Sequence, residues 1–166
     1  MNRAGIATLA AVAAVSSLWT LNAVSQDRAA VPATAPLAVS DKIDVGSVAP
    51  DFALPDQDNK LHRLSDLKGK TAILVFYPVD MTAGCSLQAR NLTESLNVFE
   101  KRGVKVFGIS VQDVASKRQF CDKEGIKYPL LADIDKSVAR NYGVLSGGVA
   151  QRVSFIVGAD GKVAAV

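Results

Sequence analysis

One uninterrupted apolar run, Ala72–Tyr77, constrains the fold of this chain more than any other feature of the sequence. It reads Ala-Ile-Leu-Val-Phe-Tyr and is rich in residues that favour β-structure. Side chains alternate between the two faces of a strand, so a run without a polar residue predicts a strand that is buried on both faces. Strands of this kind are typical of parallel sheets covered by helices. The run therefore predicts an α/β fold.

The rest of the chain alternates between helices and strands. A helix is predicted from about Cys85 to Arg102, because its apolar residues recur every three to four positions, and Gly103 ends it. The other predicted elements are a hairpin at 52–64, strands at 104–111, 128–131, 153–157 and 162–166, and helices at 113–124 and 135–142. This order predicts a mixed central sheet flanked by helices, with an N-terminal hairpin.

The first 25 residues have the pattern of an export signal. Arg3 precedes an uncharged and mostly small apolar stretch over 4–21, and the small residues Ala23 and Ser25 suit cleavage after Ser25. An uncleaved membrane anchor through residues 4–21 is an alternative, since the stretch is just long enough to span a bilayer. A buried N-terminal helix is the third interpretation. A signal or an anchor predicts an exported protein in the periplasm or another extracytoplasmic compartment, where cysteines can form disulfides.

Residues 26–44 are rich in Pro and Ala and show no helical or strand periodicity. Such a segment is typical of a tether between a signal or anchor and a folded domain. The domain organisation predicted from the sequence is therefore a signal peptide or anchor over 1–25, a tether over 26–44 and one folded domain over 45–166.

Charge and potential metal ligands exclude several classes of function. The chain has 19 Lys and Arg against 16 Asp and Glu, a net charge of +3 with scattered signs. This field is too weak to imply a nucleic-acid partner. With one His and two Cys, the chain falls short of the roughly four nitrogen or sulfur ligands of a zinc or iron–sulfur site. We expect no metal site.

Cys85 is the candidate reactive residue. It lies in the first turn of the predicted helix, where unpaired backbone N–H groups and the positive end of the helix dipole favour a thiolate. Pro78 stiffens the approach to this turn, and Thr82 brings a hydroxyl close to the sulfur. The alternative interpretation is that Cys85 is a small buried hydrophobic residue on the face of the helix that packs against the core.

The segment Pro78-x-x-x-Thr82-x-x-Cys85 resembles the peroxidatic motif of the peroxiredoxins. The resemblance extends over residues 45–166 and is closest to the bacterioferritin-comigratory, or PrxQ, branch of this AhpC/TSA-like family. Its further landmarks are Val45-Gly46-x-x-Ala49-Pro50-x-Phe52-x-Leu54-Pro55-Asp56, Tyr128-Pro129-Leu130-Leu131-Ala132-Asp133 and Arg152-Val153-Ser154-Phe155-Ile156-Val157.

The resemblance implies a thioredoxin-like fold and a thiol peroxidase for hydrogen peroxide or organic hydroperoxides, with no metal or organic cofactor. Cys85 would attack the peroxide bond and become a sulfenic acid. Thr82 would hydrogen-bond the peroxide, and Pro78 would shield the sulfenic acid from water. Arg152 would lower the pKa of the thiol and stabilise developing charge. The backbone N–H groups of Gly84 and Cys85 would be further donors.

The resemblance also assigns a role to the second cysteine. The commoner resolving position of this branch, five residues after the peroxidatic cysteine, is Arg90 in this chain. A second subset carries the resolving cysteine on the next helix, and Cys121 resembles that subset. This implies an intramolecular Cys85–Cys121 disulfide that a thioredoxin-like partner reduces. The alternative is an ordinary buried cysteine. Because the branch is mostly monomeric, a monomer is expected.

Three departures from the branch affect the expectations. Gln88 stands where an acid is usual, so Arg152 is expected to lack a charged partner, and the loop 143–151 is short. The chain stops at Val166, where the family usually continues into a C-terminal helix, which predicts exposed apolar surface or a truncated sequence.

The pair Lys117-Arg118 is expected to lie on a solvated helix face.

Two other functions compete with the peroxidase. One is a disulfide oxidoreductase on the same fold, although Cys85 is followed by Ser86-Leu87-Gln88 and lacks the usual Cys-x-x-Cys pair. The other is a binding module in which the two cysteines form only a structural disulfide.

Overall fold

The computed structural model of the protein describes residues 43–166. The predicted signal or anchor over 1–25, and nearly all of the predicted tether over 26–44, lie outside these residues. Among the residues described, no helix has both the length and the apolar character needed to cross a bilayer.

The described chain folds into nine short or medium strands, three α-helices and one turn of 3₁₀ helix at Leu64–Leu67. The strands are β1 (Ala53–Pro55), β2 (Leu61–Arg63), β3 (Ala72–Phe76), β4 (Lys105–Ser110), β5 (Leu130–Ala132), β6 (Leu145–Ser146), β7 (Val149–Ala150), β8 (Val153–Val157) and β9 (Val163–Ala165). The helices are α1 (Ala83–Lys101), α2 (Val114–Glu124) and α3 (Ser137–Asn141).

A five-stranded mixed sheet in the order β5-β4-β3-β8-β9 forms the centre of the fold. Strands β3, β4 and β5 run parallel to one another, whereas β8 and β9 are antiparallel to their neighbours. Strands β1 and β2 pair as a separate hairpin. The α/β class, the mixed sheet, the flanking helices and the N-terminal hairpin are thus as the sequence predicts.

Both faces of the sheet are covered, as the apolar run in β3 predicts. Ala72, Leu74 and Phe76 pack into a core that also contains α3 and the hairpin. Two residues that point to the opposite face, Ile73 and Tyr77, contact a second core formed with α1 and α2. Period-two alternation therefore splits one apolar run between two cores.

Local signals fix both ends of α2. The side chain of Asp113 caps its first turn by accepting a hydrogen bond from the N–H of Ser116 at 2.8 Å. Gly125 ends the helix in the left-handed conformation, with φ of +64°, which glycine adopts without a Cβ clash. Helix α1 likewise ends beside Gly103, as predicted.

Two local predictions differ from the structure. Strand β5 begins at Leu130 rather than at Tyr128, because Pro129 has no N–H to donate to a neighbouring strand. The segment predicted as a loop over 143–151 contains the two-residue strands β6 and β7, which pair as a hairpin. Strands this short carry too little periodic signal to be recognised in a sequence.

Apolar side chains lie exposed along α1 and at the sheet, as expected. Leu87 and Val98 on α1 are 55% and 53% exposed, and Ile156 on β8 is 37% exposed. A groove beside them starts at Gly84 and Arg152 and continues over apolar side chains of β3 and α1.

We expect Gly108→Ala to destabilise the domain by about 1–3 kcal/mol through overpacking. A Cβ at this position would lie 2.5 Å from Cδ2 of Leu130, a side chain that is itself fully buried. Urea unfolding followed by circular dichroism measures the change in free energy. Ser95→Ala, on the exposed face of α1, is the matched control and should leave the unfolding midpoint almost unchanged. Equal midpoints for the two variants would contradict the close packing of β4 against β5.

Candidate active site

Cys85 lies at the carboxyl end of the central parallel strand. Strand β3 ends at Phe76, a loop over 77–82 follows, and α1 begins at Ala83. Cys85 is thus in the first turn of α1, among the residues whose N–H groups have no partner within the helix. Its exposure is 3%, so the sulfur is nearly closed to solvent although the residues just before it are exposed.

Arg152 contacts the sulfur directly. Its Nη2 donates a hydrogen bond to Sγ of Cys85 at 3.1 Å. The sheet explains this placement, because β8 pairs antiparallel with β3 and the register sets Val153 opposite Phe76. Arg152, the residue before β8, therefore lies next to the loop that leaves β3. The structure brings together two residues that are far apart in the sequence.

Gln88 is the partner that holds the guanidinium. Its Oε1 accepts a short hydrogen bond from Nη1 of Arg152, while Nη2 contacts the sulfur. The sequence analysis predicts that Arg152 lacks a charged partner, and its contact in the structure is a neutral amide. A neutral acceptor orients the guanidinium without cancelling its charge, so the full positive charge acts on the sulfur.

Thr82 and Val79 complete the immediate surroundings of the sulfur. The Thr82 hydroxyl lies between two acceptors and can turn its one proton either to the sulfur of Cys85 or to the carbonyl oxygen of Val79, 3.3 Å away. The backbone of Val79 also makes a hydrogen bond to the sulfur. This contact could not be recognised in the sequence, because the backbone of any residue type could provide it. Pro78 lies one residue earlier, and its carbonyl oxygen accepts a hydrogen bond from Nε2 of Gln112 at 3.3 Å.

These contacts lower the pKa of the Cys85 thiol. Burial acts in the opposite direction and raises it, since a buried site disfavours the charged form. Hydrogen bonds from Thr82 and from the backbone of Val79, followed by the hydrogen bond and charge of Arg152, outweigh burial. The net result is a pKa below that of an ordinary cysteine, and hence a larger thiolate fraction at neutral pH.

Cys121 has the opposite character. It lies on α2, as the sequence analysis predicts, and is 6% exposed. Burial raises the pKa of its thiol to about 11, so the group is protonated and unreactive in this arrangement. Both cysteines are free thiols in the structure.

The expectation that Lys117 lies on a solvated helix face is wrong. Its side chain is fully buried, and Nζ forms an ion pair with Oδ1 of Asp80 at 2.9 Å. The signal was present in the sequence, because Lys117 lies three and four positions before the buried residues Phe120 and Cys121 and therefore shares their face of α2. Arg118 does lie at the surface, where it pairs with Asp58.

Comparison with known proteins identifies the family of this chain. Over 130 residues the chain is 36% identical to peroxiredoxin Bcp of Escherichia coli K12, which covers 73% of the chain and 83% of that protein. It is 38% identical over 133 residues to the chloroplastic peroxiredoxin Q of Gentiana triflora, covering 78% of the chain and 61% of that protein. The crystal structure of peroxidoxin BcpB from Mycobacterium tuberculosis superposes with a TM-score of 0.67 at 33% identity, covering 73% of the chain and 82% of that structure.

These proteins define the class as peroxiredoxins, thiol-dependent peroxidases with a thioredoxin-like fold. Residues 45–166 match the AhpC/TSA family, and the chain belongs to it. The fold and the class of enzyme expected from the sequence are thereby confirmed.

We expect Arg152→Gln to shift the pH dependence of Cys85 alkylation to higher pH. Iodoacetamide reacts with the thiolate, and removal of the guanidinium takes away two of the contacts that lower the pKa of the thiol. The measurement is the alkylation rate between pH 4 and 10 by mass spectrometry, in a Cys121→Ser background so that one thiol reacts. Arg63→Gln, exposed on the hairpin, is the charge-matched control and should keep the original profile. An unshifted profile for Arg152→Gln would show that Arg152 does not control the ionisation of Cys85.

Proposed function

We propose that Cys85 is the peroxidatic thiolate of this peroxiredoxin, acting on hydrogen peroxide and organic hydroperoxides. The observation that carries the proposal is the contact of 3.1 Å between Nη2 of Arg152 and Sγ of Cys85 at the first turn of α1. The sulfur attacks the terminal peroxide oxygen and the O–O bond breaks. The remaining oxygen takes a proton and leaves as water or an alcohol, and Cys85 becomes a sulfenic acid.

The surrounding groups act on charge and position in this step. Arg152 stabilises first the thiolate and then the negative charge that develops on the leaving oxygen. The Thr82 hydroxyl hydrogen-bonds the bound peroxide, and the N–H groups of Gly84 and Cys85 are further donors at the helix terminus. Pro78, in the loop between β3 and α1, shields the sulfenic acid from water in this proposal. No metal or organic cofactor takes part in this proposal.

Cys121 is the resolving cysteine in this proposal. Its sulfur attacks Sγ of the Cys85 sulfenic acid, the S–O bond breaks, and water leaves as a disulfide forms. A thioredoxin-like dithiol then reduces the disulfide by thiol–disulfide exchange. Because both cysteines are in one chain, a monomer suffices for the whole cycle.

We expect disulfide formation to involve local unwinding. The Cα atoms of a disulfide lie within about 7 Å of each other, whereas Cys85 and Cys121 lie on separate helices and are both buried. The pKa of about 11 also keeps the Cys121 thiol protonated until its surroundings open. Unwinding of the first turns of α1 and of part of α2 solves both problems, because it moves the cysteines together and exposes Cys121 to water.

The two cysteine variants separate the steps. We expect Cys85→Ser to abolish peroxide consumption, and Cys121→Ser to retain a single turnover but lose cycling with thioredoxin and its reductase. Residues 43–166 contain no Trp, so sulfenic acid and disulfide are best followed by thiol labelling and mass. If Cys121→Ser still cycles with thioredoxin, the resolving role is wrong. A wild-type protein that consumes no peroxide would favour the disulfide-stapled binding module.

We propose that residues 1–25 direct export, so that the enzyme acts outside the cytoplasm. The supporting observations are Arg3, the apolar stretch over 4–21, and the small residues Ala23 and Ser25. Expression of the full chain in a bacterium, followed by fractionation and N-terminal sequencing, is expected to give a periplasmic protein beginning at Gln26. An intact N-terminus in the membrane fraction would indicate the anchor through 4–21 instead. An intact cytoplasmic protein would overturn export.

A further inference from the structure

A buried ion pair joins the two segments that carry the cysteines. Nζ of Lys117, on α2, lies 2.9 Å from Oδ1 and 3.1 Å from Oδ2 of Asp80, in the loop before α1. The side chains are 0% and 1% exposed. Neither Asp80 nor Lys117 contacts the sulfur of Cys85, so the peroxidase step alone does not account for the pair.

Further hydrogen bonds fix the pair in place. Asp80 also accepts from the Tyr77 hydroxyl at 2.7 Å and from the Ser116 hydroxyl at 2.6 Å. Nζ of Lys117 makes a short contact with the hydroxyl of Ser110 on β4. Every polar atom of the pair is therefore satisfied, and opening it would leave a charge buried without a partner.

The pair lies close in sequence to both thiols. Asp80 precedes Cys85 by five residues, and Lys117 precedes Cys121 by four. Along the covalent chain Cys121 follows Cys85 by 36 residues, whereas the two segments that join the thiols to the ion pair are five and four residues long, about one-quarter of that length. An extended segment spans about 3.3–3.6 Å per residue, so four and five unwound residues can bring the cysteines together while the pair stays closed.

We propose that Asp80 and Lys117 form an anchor that stays closed while the helices unwind, and so position Cys121 for attack on oxidised Cys85. This inference rests on the proposed resolving role of Cys121. At the C-terminal end of α2, Glu124 accepts hydrogen bonds from Ser86 at 2.9 Å and from Arg90. Arg90 is itself 49% exposed and can exchange that partner for water, so this contact is easier to open than the buried ion pair. Unwinding thus begins beside Cys121, and the ion pair limits how far the segments separate.

The anchor has a kinetic consequence. The probability that two points of a flexible loop meet falls with about the three-halves power of its length, so a fourfold difference in length corresponds to roughly eightfold in rate. Because β4 and most of α1 stay folded and also restrain the thiols, we expect loss of the anchor to slow disulfide formation by at most about eightfold. The opposite model, in which the pair is a latch that must open first, predicts faster disulfide formation when the pair is removed. The sign of the effect therefore distinguishes the two models.

The test is the full-length Lys117→Met variant, which keeps the length of the side chain and removes its charge. After one equivalent of hydrogen peroxide, acid quenching and mass spectrometry give separate rate constants for sulfenic acid and disulfide formation. The anchor predicts disulfide formation slowed by more than about twofold and at most about eightfold, with sulfenic acid formation changed less than about twofold. Lys123→Met, an exposed charge on the same helix, is the control and should alter neither step. An unchanged or faster disulfide step in Lys117→Met overturns the anchor.

A measurement on the wild-type protein covers the case in which Lys117→Met does not fold. An amine-reactive acylating reagent should leave Lys117 unlabelled in both the reduced and the disulfide form, while the exposed Lys123 reacts in both. Labelling of Lys117 only after oxidation would show that the pair opens, and would overturn the anchor. If the wild-type protein forms no Cys85–Cys121 disulfide, the proposed resolving role fails instead.

Discussion

The proposed chemistry depends on keeping the sulfur of Cys85 negative in a place that is almost closed to water. Burial alone would raise the pKa of Cys85 and leave an inert thiol. The site reverses this with donors aimed at the sulfur, namely the Thr82 hydroxyl, the backbone of Val79 and the guanidinium of Arg152. Because the donors are held by the loop and the sheet, they are in place before peroxide arrives. They therefore need no reorganisation when charge moves from sulfur to oxygen.

That arrangement follows from the topology of the sheet. A parallel strand directs its carboxyl end into a loop and then into the N-terminus of a helix, and in this chain the cysteine is in that helix turn. The antiparallel partner β8 begins at the edge of the sheet where β3 ends, so Arg152, the residue before β8, lies beside the loop that contains the cysteine turn. Without the pairing of β3 with β8, Arg152 would have no reason to lie near Cys85. The register between β3 and β8 thus has two effects. It packs Phe76 and Phe155 into the core, and it places Arg152 where its charge lowers the pKa of the Cys85 thiol.

Much of this could be predicted from the sequence, and the failures have physical reasons. The apolar run at 72–77 and the turn that contains Cys85 are local patterns, and the arginine could be identified through the family motif. The same motif marked Gln88 as the residue in place of a charged partner for Arg152, but the hydrogen bond that a neutral Gln88 makes to the guanidinium could not be predicted, because it depends on sheet register. The burial of the Lys117 side chain was not predicted, for a related reason. A charged residue in a helix is usually solvated, and its burial becomes favourable only when Asp80, from a distant loop, neutralises it.

The two thiols of the chain have pKa values displaced in opposite directions, and the proposed catalytic cycle needs both displacements. A resolving cysteine that was ionised and exposed in the reduced state would compete for oxidants with the peroxidatic one. Burial on α2 prevents this by keeping the Cys121 thiol protonated. In the proposed cycle, the same burial means that resolution follows a conformational change, during which the sulfenic acid of Cys85 remains open to a second peroxide. If the proposed anchor holds, the length of that interval is set by how readily α2 unwinds and by how closely Asp80 and Lys117 hold the two segments.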